Sequence, residues 1–208
     1  MNVEPFYENC RRDLFRYVVY AKGKRRLRAV VTCVIIEGVW ALAAYRFGRA
    51  LFTRGGSALI LWPAFRAWEL AVRMLTGIQL HVAARIGPGF YVGHHGAIYV
   101  GPGTVVGENS SIGQMCFVGP AAGFHGAAPR VGSRVYLGPG SKVIGDVEIG
   151  DRAVVGAGAV VLEDIPAGVT VVGNPARVVS KQGSDELIYL GEGDPLRTGS
   201  NALQKLAG

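Results

Sequence analysis

From Leu80 to Val178 the aliphatic residues of this chain recur every six positions: Leu80, Ile86 and Val92, then Val100, Val106, Ile112 and Val118, and after a break Val131, Leu137, Val143, Ile149, Val155 and Val161. Gly follows most of them directly, as at Gly87, Gly101, Gly113, Gly132 and Gly156, and the fourth slot holds small or β-branched residues such as Ala84, Thr104, Ser110, Cys116, Val135, Ser141, Ala153 and Ala159. A period of six with two inward positions describes a short strand and a tight corner, with Gly expected where the corner needs a positive φ. Three such strands close one triangular coil of a parallel β-helix and stack aliphatic side chains in columns. An antiparallel sandwich would instead show alternation of period two and Asn-Gly or Asp-Gly hairpins, and neither dipeptide occurs. The predicted class is mainly β, with a β-helix over 79–181, a helical segment over 1–78 and a C-terminal tail over 182–208.

The beat is interrupted at two places. Two residues are added just past His94-His95-Gly96, and a Gly-, Ala- and Pro-rich loop spans 119–130. Insertions in a solenoid are extruded as loops, where binding sites concentrate. An imidazole at an interrupted corner can act as a general base near neutral pH if a neighbour fixes its tautomer, which makes His94 the candidate and His95 its rival. Adjacent residues on an extended segment point to opposite sides, so one of the two should face a shared cleft. His81 and His125 complete the histidines. A zinc site would need three of the four to converge, which the adjacent pair resists, and no metal is expected.

Charge separates the two parts of the chain. Residues 1–78 carry 13 Lys and Arg against 5 Asp and Glu, whereas residues 79–208 carry 9 against 10. The basic part also holds Trp40, Trp62 and Trp68, an apolar run from Ala29 to Tyr45, and the cluster Lys22, Lys24, Arg25, Arg26 and Arg28 just before it. Two readings account for this: peripheral binding of residues 11–77 to an anionic membrane surface, or ordinary helices packed on the end of the β-helix. The apolar run is shorter than the roughly 20 residues a membrane span needs and contains Glu37. It starts too late for a secretory signal, and the basic residues form no nucleic-acid motif. Three cysteines, Cys10, Cys33 and Cys116, lack metal-ligand spacing and fit a reducing, cytoplasmic setting.

The stretch Arg85-Ile-Gly-Pro-Gly-Phe-Tyr-Val-Gly-His-His-Gly and the closing Gly156-Ala-Gly-Ala-Val-Val-Leu-Glu-Asp-Ile-Pro-Ala-Gly-Val-Thr-Val-Val-Gly-Asn-Pro-Ala-Arg-Val resemble the left-handed β-helix of hexapeptide-repeat acyltransferases of the serine acetyltransferase type. The resemblance implies a homotrimer with sites between subunits and acetyl-CoA as co-substrate. It places the catalytic histidine on His94, the cofactor surface on Gly119, Pro139 and Ala157, and phosphate contacts on Arg177 and Lys181. Four positions depart from the serine-specific pattern: Gln79 and Gly93 replace aspartates, and Ala127 and Ala128 replace an Arg-His pair. Gln79 or a backbone carbonyl is then expected to orient His94. With its His94-His95-Gly96 and a short basic, Trp-containing helical N-terminus, the chain looks closer to exopolysaccharide O-acetyltransferases of the colanic-acid type. The expectation is transfer of an acetyl group to a sugar hydroxyl of a polysaccharide or lipid-linked saccharide at the inner face of the cytoplasmic membrane. The alternatives are serine O-acetylation and a non-catalytic membrane-surface scaffold trimer.

Overall fold

The computed structural model describes residues 6–20, 36–121, 127–188 and 190. Among the described residues three helices precede the strands: α1 (Phe6–Tyr20), α2 (Glu37–Arg54) and α3 (Trp62–Thr76), with a 3-10 segment at Gly56–Leu61 between the last two. The basic cluster at 22–28, His125 and most of the C-terminal tail lie outside the described residues.

Fifteen short strands follow, from β1 (Ile78–Leu80), β2 (Arg85–Ile86) and β3 (Tyr91–Val92) to β14 (Thr170–Val172) and β15 (Arg177–Ser180). They form three sheets: one of β1, β4, β7, β10 and β13, a second of β2, β5, β8 and β11, and a third that starts at β3 and ends with β14 and β15. Pairing is parallel except where β15 folds back on β14. One regular turn takes 18 residues, as from Val143 to its neighbour Val161. The chain is therefore a left-handed parallel β-helix headed by helices.

The six-residue beat maps onto three inward columns. Leu80, Val100, Val118, Val143 and Val161 stack on the first sheet, Ile86, Val106, Val131 and Ile149 on the second, and Val92, Ile112, Leu137, Val155 and Val171 on the third. All are buried, and each contributes roughly 1.5–3 kcal/mol of transfer free energy. The small slots sit inside the corners, where Ala84, Thr104, Ser110, Val135, Ala153 and Ala159 are fully enclosed.

The glycine expectation needs correcting. The Gly after each inward aliphatic does not hold the positive φ; residues further round the corner do, including the non-glycine Asn109, Met115, Arg134 and Arg152. Gly138 is required for space: a Cβ there would lie 2.8 Å from the backbone nitrogen of Ala157 and 2.8 Å from the carbonyl oxygen of Val155 in the next coil. Close coil stacking, not turn conformation, explains the Gly beat.

Among the described residues no strand lies above the first coil, whose backbone would be left unpaired. Helices α1 and α2 supply the missing partners. Tyr17 donates from its hydroxyl to the Val92 carbonyl (3.2 Å) and accepts from the Val92 amide (3.0 Å). Tyr45 does the same for Ala84 and Ile86, at 3.0 Å each. Arg46 donates to the carbonyls of Ile86 (2.6 Å) and Gly87 (2.8 Å) and forms a buried ion pair with Asp13, Nε to Oδ2 at 2.8 Å. Asp13 in turn accepts from the Phe90 amide at 3.0 Å. Tyr17, Leu42 and Tyr45 belong to the same buried cluster as the coil columns.

Candidate active site

Among the corners between the third sheet and the first, one column holds the expected site residues. The segment 93–97 turns from β3 to β4, and below it lie the corners at Gln114, Pro139 and Ala157. Successive corners are bonded to one another: Met115 donates to the Gly96 carbonyl (3.0 Å), Gly140 to Gln114 (2.8 Å) and Gly158 to Pro139 (2.8 Å). His94 thus stands at the head of a ridge on which Pro139 is the third step and Ala157 the fourth, about 5 Å per step.

The two added residues make the histidine corner wider than the others, and α3 supports it. The Gly96 amide donates to the Thr76 carbonyl at 2.9 Å and the Ile98 amide to Gly77 at 3.1 Å. Gly77 takes φ +68°, and a Cβ there would lie 3.0 Å from the Ala97 nitrogen, so the last helical turn and the corner are in direct contact. His94 and His95 are both exposed. Extended-strand alternation does not separate them, because the segment is a bend and not a strand.

Charged side chains from the helices engage two of the expected residues. Glu37, at the start of α2, places Oε1 3.7 Å from Nδ1 of His95. Arg73, in the last turn of α3, donates from Nη1 to Oε1 of Gln79 at 3.5 Å. Gln79 is therefore engaged by Arg73, and among the described residues His94 has no hydrogen-bond partner. Neither Glu37 nor Arg73 was singled out as a site residue from sequence, since each lies on a helix remote in the chain from residues 94–95.

The other expected residues fall elsewhere. Gly119 ends β7 and pairs with Ile144 at the far edge of the first sheet, one corner away from His94. Arg177 and Lys181 are exposed at the opposite end of the solenoid, where Arg177 lies 3.4 Å from Glu163. That pair is solvent-exposed on both sides and holds Arg177 only weakly. Cys116 is buried beneath the ridge, its thiol directed at the Gly138 carbonyl (3.1 Å), and burial pushes its pKa up. Burial also lowers the pKa of His81, whose Nδ1 accepts from the Ala83 amide at 3.1 Å. Among the described residues no group of His, Cys, Asp or Glu could hold a metal ion, and no helix is long and apolar enough to cross a membrane.

Residues 128–163 match the family described as bacterial transferase hexapeptide (six repeats). A serine acetyltransferase from Helicobacter pylori (strain 26695) is 35% identical over 149 residues, which is 71% of this chain and 84% of that protein. The chain belongs to the serine acetyltransferase family. A second family member, from Salmonella typhimurium LT2, is 36% identical over 73% of this chain, which spans only about half (54%) of its length. A crystal structure of serine acetyltransferase from Brucella abortus strain S19 in complex with coenzyme A superposes with a TM-score of 0.72 at 27% identity, covering 86% of this chain and 69% of that one.

Membership of the serine acetyltransferase family overturns the exopolysaccharide reading and its saccharide acceptor, because the relatives that match are serine acetyltransferases. The features that suggested a sugar, the His-His-Gly corner and the short helical head, do not by themselves fix the acceptor.

Proposed function

We propose that this protein is an acetyl-CoA-dependent O-acetyltransferase whose acceptor is the hydroxyl of L-serine. The observation that carries the reading is the 35% identity to a serine acetyltransferase across 84% of that relative. The exposed His94 at the head of the corner ridge supports it from the structure. His94 takes the proton from the acceptor hydroxyl as that oxygen attacks the thioester carbonyl. The tetrahedral oxyanion collapses, the carbon–sulfur bond breaks, and the departing thiolate recovers the proton from the imidazolium. Coenzyme A lies along the ridge past Pro139 and Ala157, with its phosphates toward Arg177 and Lys181. Gly119 lies one corner away from His94, so a ligand that touches both surfaces calls for neighbouring subunits, and a homotrimer supplies them.

A zwitterionic acceptor needs one anionic and one cationic partner. Gln79, Gly93, Ala127 and Ala128 supply neither charge. Glu37, 3.7 Å from His95, and Arg73, 3.5 Å from Gln79, have the required signs. They are assigned the ammonium and carboxylate of serine. Losing one such charged contact is worth about 1.5–3 kcal/mol, so Glu37→Gln or Arg73→Met raises KM for L-serine at least about tenfold and leaves KM for acetyl-CoA unchanged.

The test is product identity. Protein incubated with acetyl-CoA and L-serine yields O-acetyl-L-serine by mass spectrometry, and D-serine yields none. Coenzyme A release without the acetylated amino acid would overturn the assignment.

A further inference from the structure

The corner that carries His94 and His95 depends on its flanks for support. Val92 pairs with Ile112 and Tyr99 with Phe117, so residues 92 to 99 of the first coil lie over residues 112 to 117 of the second. The two residues in excess leave the ladder at the histidines. Among the described residues neither His94 nor His95 makes a backbone–backbone hydrogen bond. A segment without such bonds opens easily unless both of its ends are fixed.

Both ends are fixed by the helices. On the near side, the Tyr17 hydroxyl of α1 accepts from the Val92 amide at 3.0 Å and donates to the Val92 carbonyl at 3.2 Å. Burial pushes the pKa of that hydroxyl up, which keeps it neutral and able to do both. Helix α2 closes over the same place: a Cβ at Gly38 would lie 2.6 Å from the Tyr17 hydroxyl and 2.9 Å from the Val92 Cβ. On the far side, the Gly96 amide donates to the Thr76 carbonyl at 2.9 Å. The Thr76 hydroxyl donates to the Val72 carbonyl at 2.7 Å and accepts from the Ile78 amide at 3.2 Å, which ties the end of α3 to the first strand.

Tyr45 gives an internal comparison. Its buried hydroxyl makes the same two kinds of bond, to the Ala84 carbonyl and the Ile86 amide at 3.0 Å each. That corner holds no insertion, since Leu80 pairs with Val100 and Ile86 with Val106 in step. Capping of the open coil uses both tyrosines alike, whereas only Tyr17 adjoins the histidines.

We propose that Tyr17 and Thr76 are positioning residues, which clamp the two ends of the histidine insertion and so hold His94 in one attitude at the head of the ridge. The inference rests on the acetyl-transfer reading for its turnover measurement only. Misplacing a reacting group by about 1 Å can cost about 10² in rate.

The experiment compares Tyr17→Phe with Tyr45→Phe, each of which deletes one hydroxyl and leaves one amide and one carbonyl of the first coil unpaired. Both should lower the urea midpoint to a similar extent and keep the wild-type far-UV spectrum and solution mass. Tyr17→Phe alone should lower kcat for serine-dependent coenzyme A release by at least about tenfold, with KM for L-serine changed by less than about twofold. Thr76→Val, which deletes the contact to the Ile78 amide, should give the same split from the other flank. The ring signals of His94 in protein carrying isotope-labelled histidine, assigned with His94→Ala, read its position without substrate. They should move in Tyr17→Phe and stay in place in Tyr45→Phe. Equal kcat losses in the two tyrosine variants, or unmoved His94 signals in Tyr17→Phe, would overturn the proposal. A wild-type chain without serine-dependent release would overturn the serine assignment instead, and the His94 signals would still decide the positioning.

Discussion

Replacing Arg46 by Met should destabilise the protein by at least about 3 kcal/mol. The guanidinium is buried and makes four bonds: Nε and Nη2 to the Asp13 carboxylate at 2.8 and 3.1 Å, and Nη1 and Nη2 to the carbonyls of Ile86 and Gly87 at 2.6 and 2.8 Å. Met fills similar space but removes all four. Among the described residues Asp13 would keep only the Phe90 amide as a donor. Breaking a buried pair from one side costs about 3–5 kcal/mol because the remaining charge is left without its counterion. Each orphaned carbonyl adds roughly 1–3 kcal/mol, not fully additively. The double variant Asp13→Leu/Arg46→Met removes the lone charge and recovers part of the loss. It cannot recover all of it, because Ile86, Gly87 and Phe90 still lack partners at the open end of the coil. Urea unfolding followed by far-UV circular dichroism at fixed protein concentration measures both, provided the slope stays constant. A single-variant loss below about 1 kcal/mol, or complete recovery in the double variant, would refute the claim that these side chains terminate the solenoid.

His81 gives a pH dependence of definite sign. Burial holds its folded-state pKa below the usual 6.5, so the unfolded chain takes up the proton first. Its contribution is intact above about pH 6.5 and lost as pH falls through the folded value. Stability measured across that window should decline with acidification, and His81→Asn, which keeps an acceptor for the Ala83 amide, should flatten the decline. The buried Cys116 thiol, its pKa raised by desolvation, should resist iodoacetamide at pH 8 in the native protein and react on unfolding. Rapid native alkylation, mapped by peptide mass, would contradict the enclosed ridge.

The three columns were legible because a period of six admits one stacking solution, and Leu80 to Val161 occupy the slots that the beat assigned. The role of the glycines was misread from the same pattern. Space between coils is a property of the neighbouring turn, and Gly113 or Gly138 shows no local sign of Pro139 or Ala157 pressing on it. The cap was hidden for a related reason: Asp13, Tyr17, Tyr45 and Arg46 sit in unremarkable helices, and nothing local marks them as partners of the first coil. At the site, the interruption after Val92 pointed to His94. Glu37 meets His95 from a helix distant in sequence and Arg73 meets Gln79 across the end of α3, and no local pattern marks either contact. The acceptor was misjudged because substitutions at Gln79, Gly93, Ala127 and Ala128 record which groups are missing, not which groups replace them.

The central claim is tested most directly by the initial rate of coenzyme A release from acetyl-CoA with L-serine, for the wild-type chain and His94→Ala side by side. The account predicts serine-dependent release that falls by about 10² or more in the variant, the scale of a lost general base. Serine-dependent release that survives the substitution would contradict it.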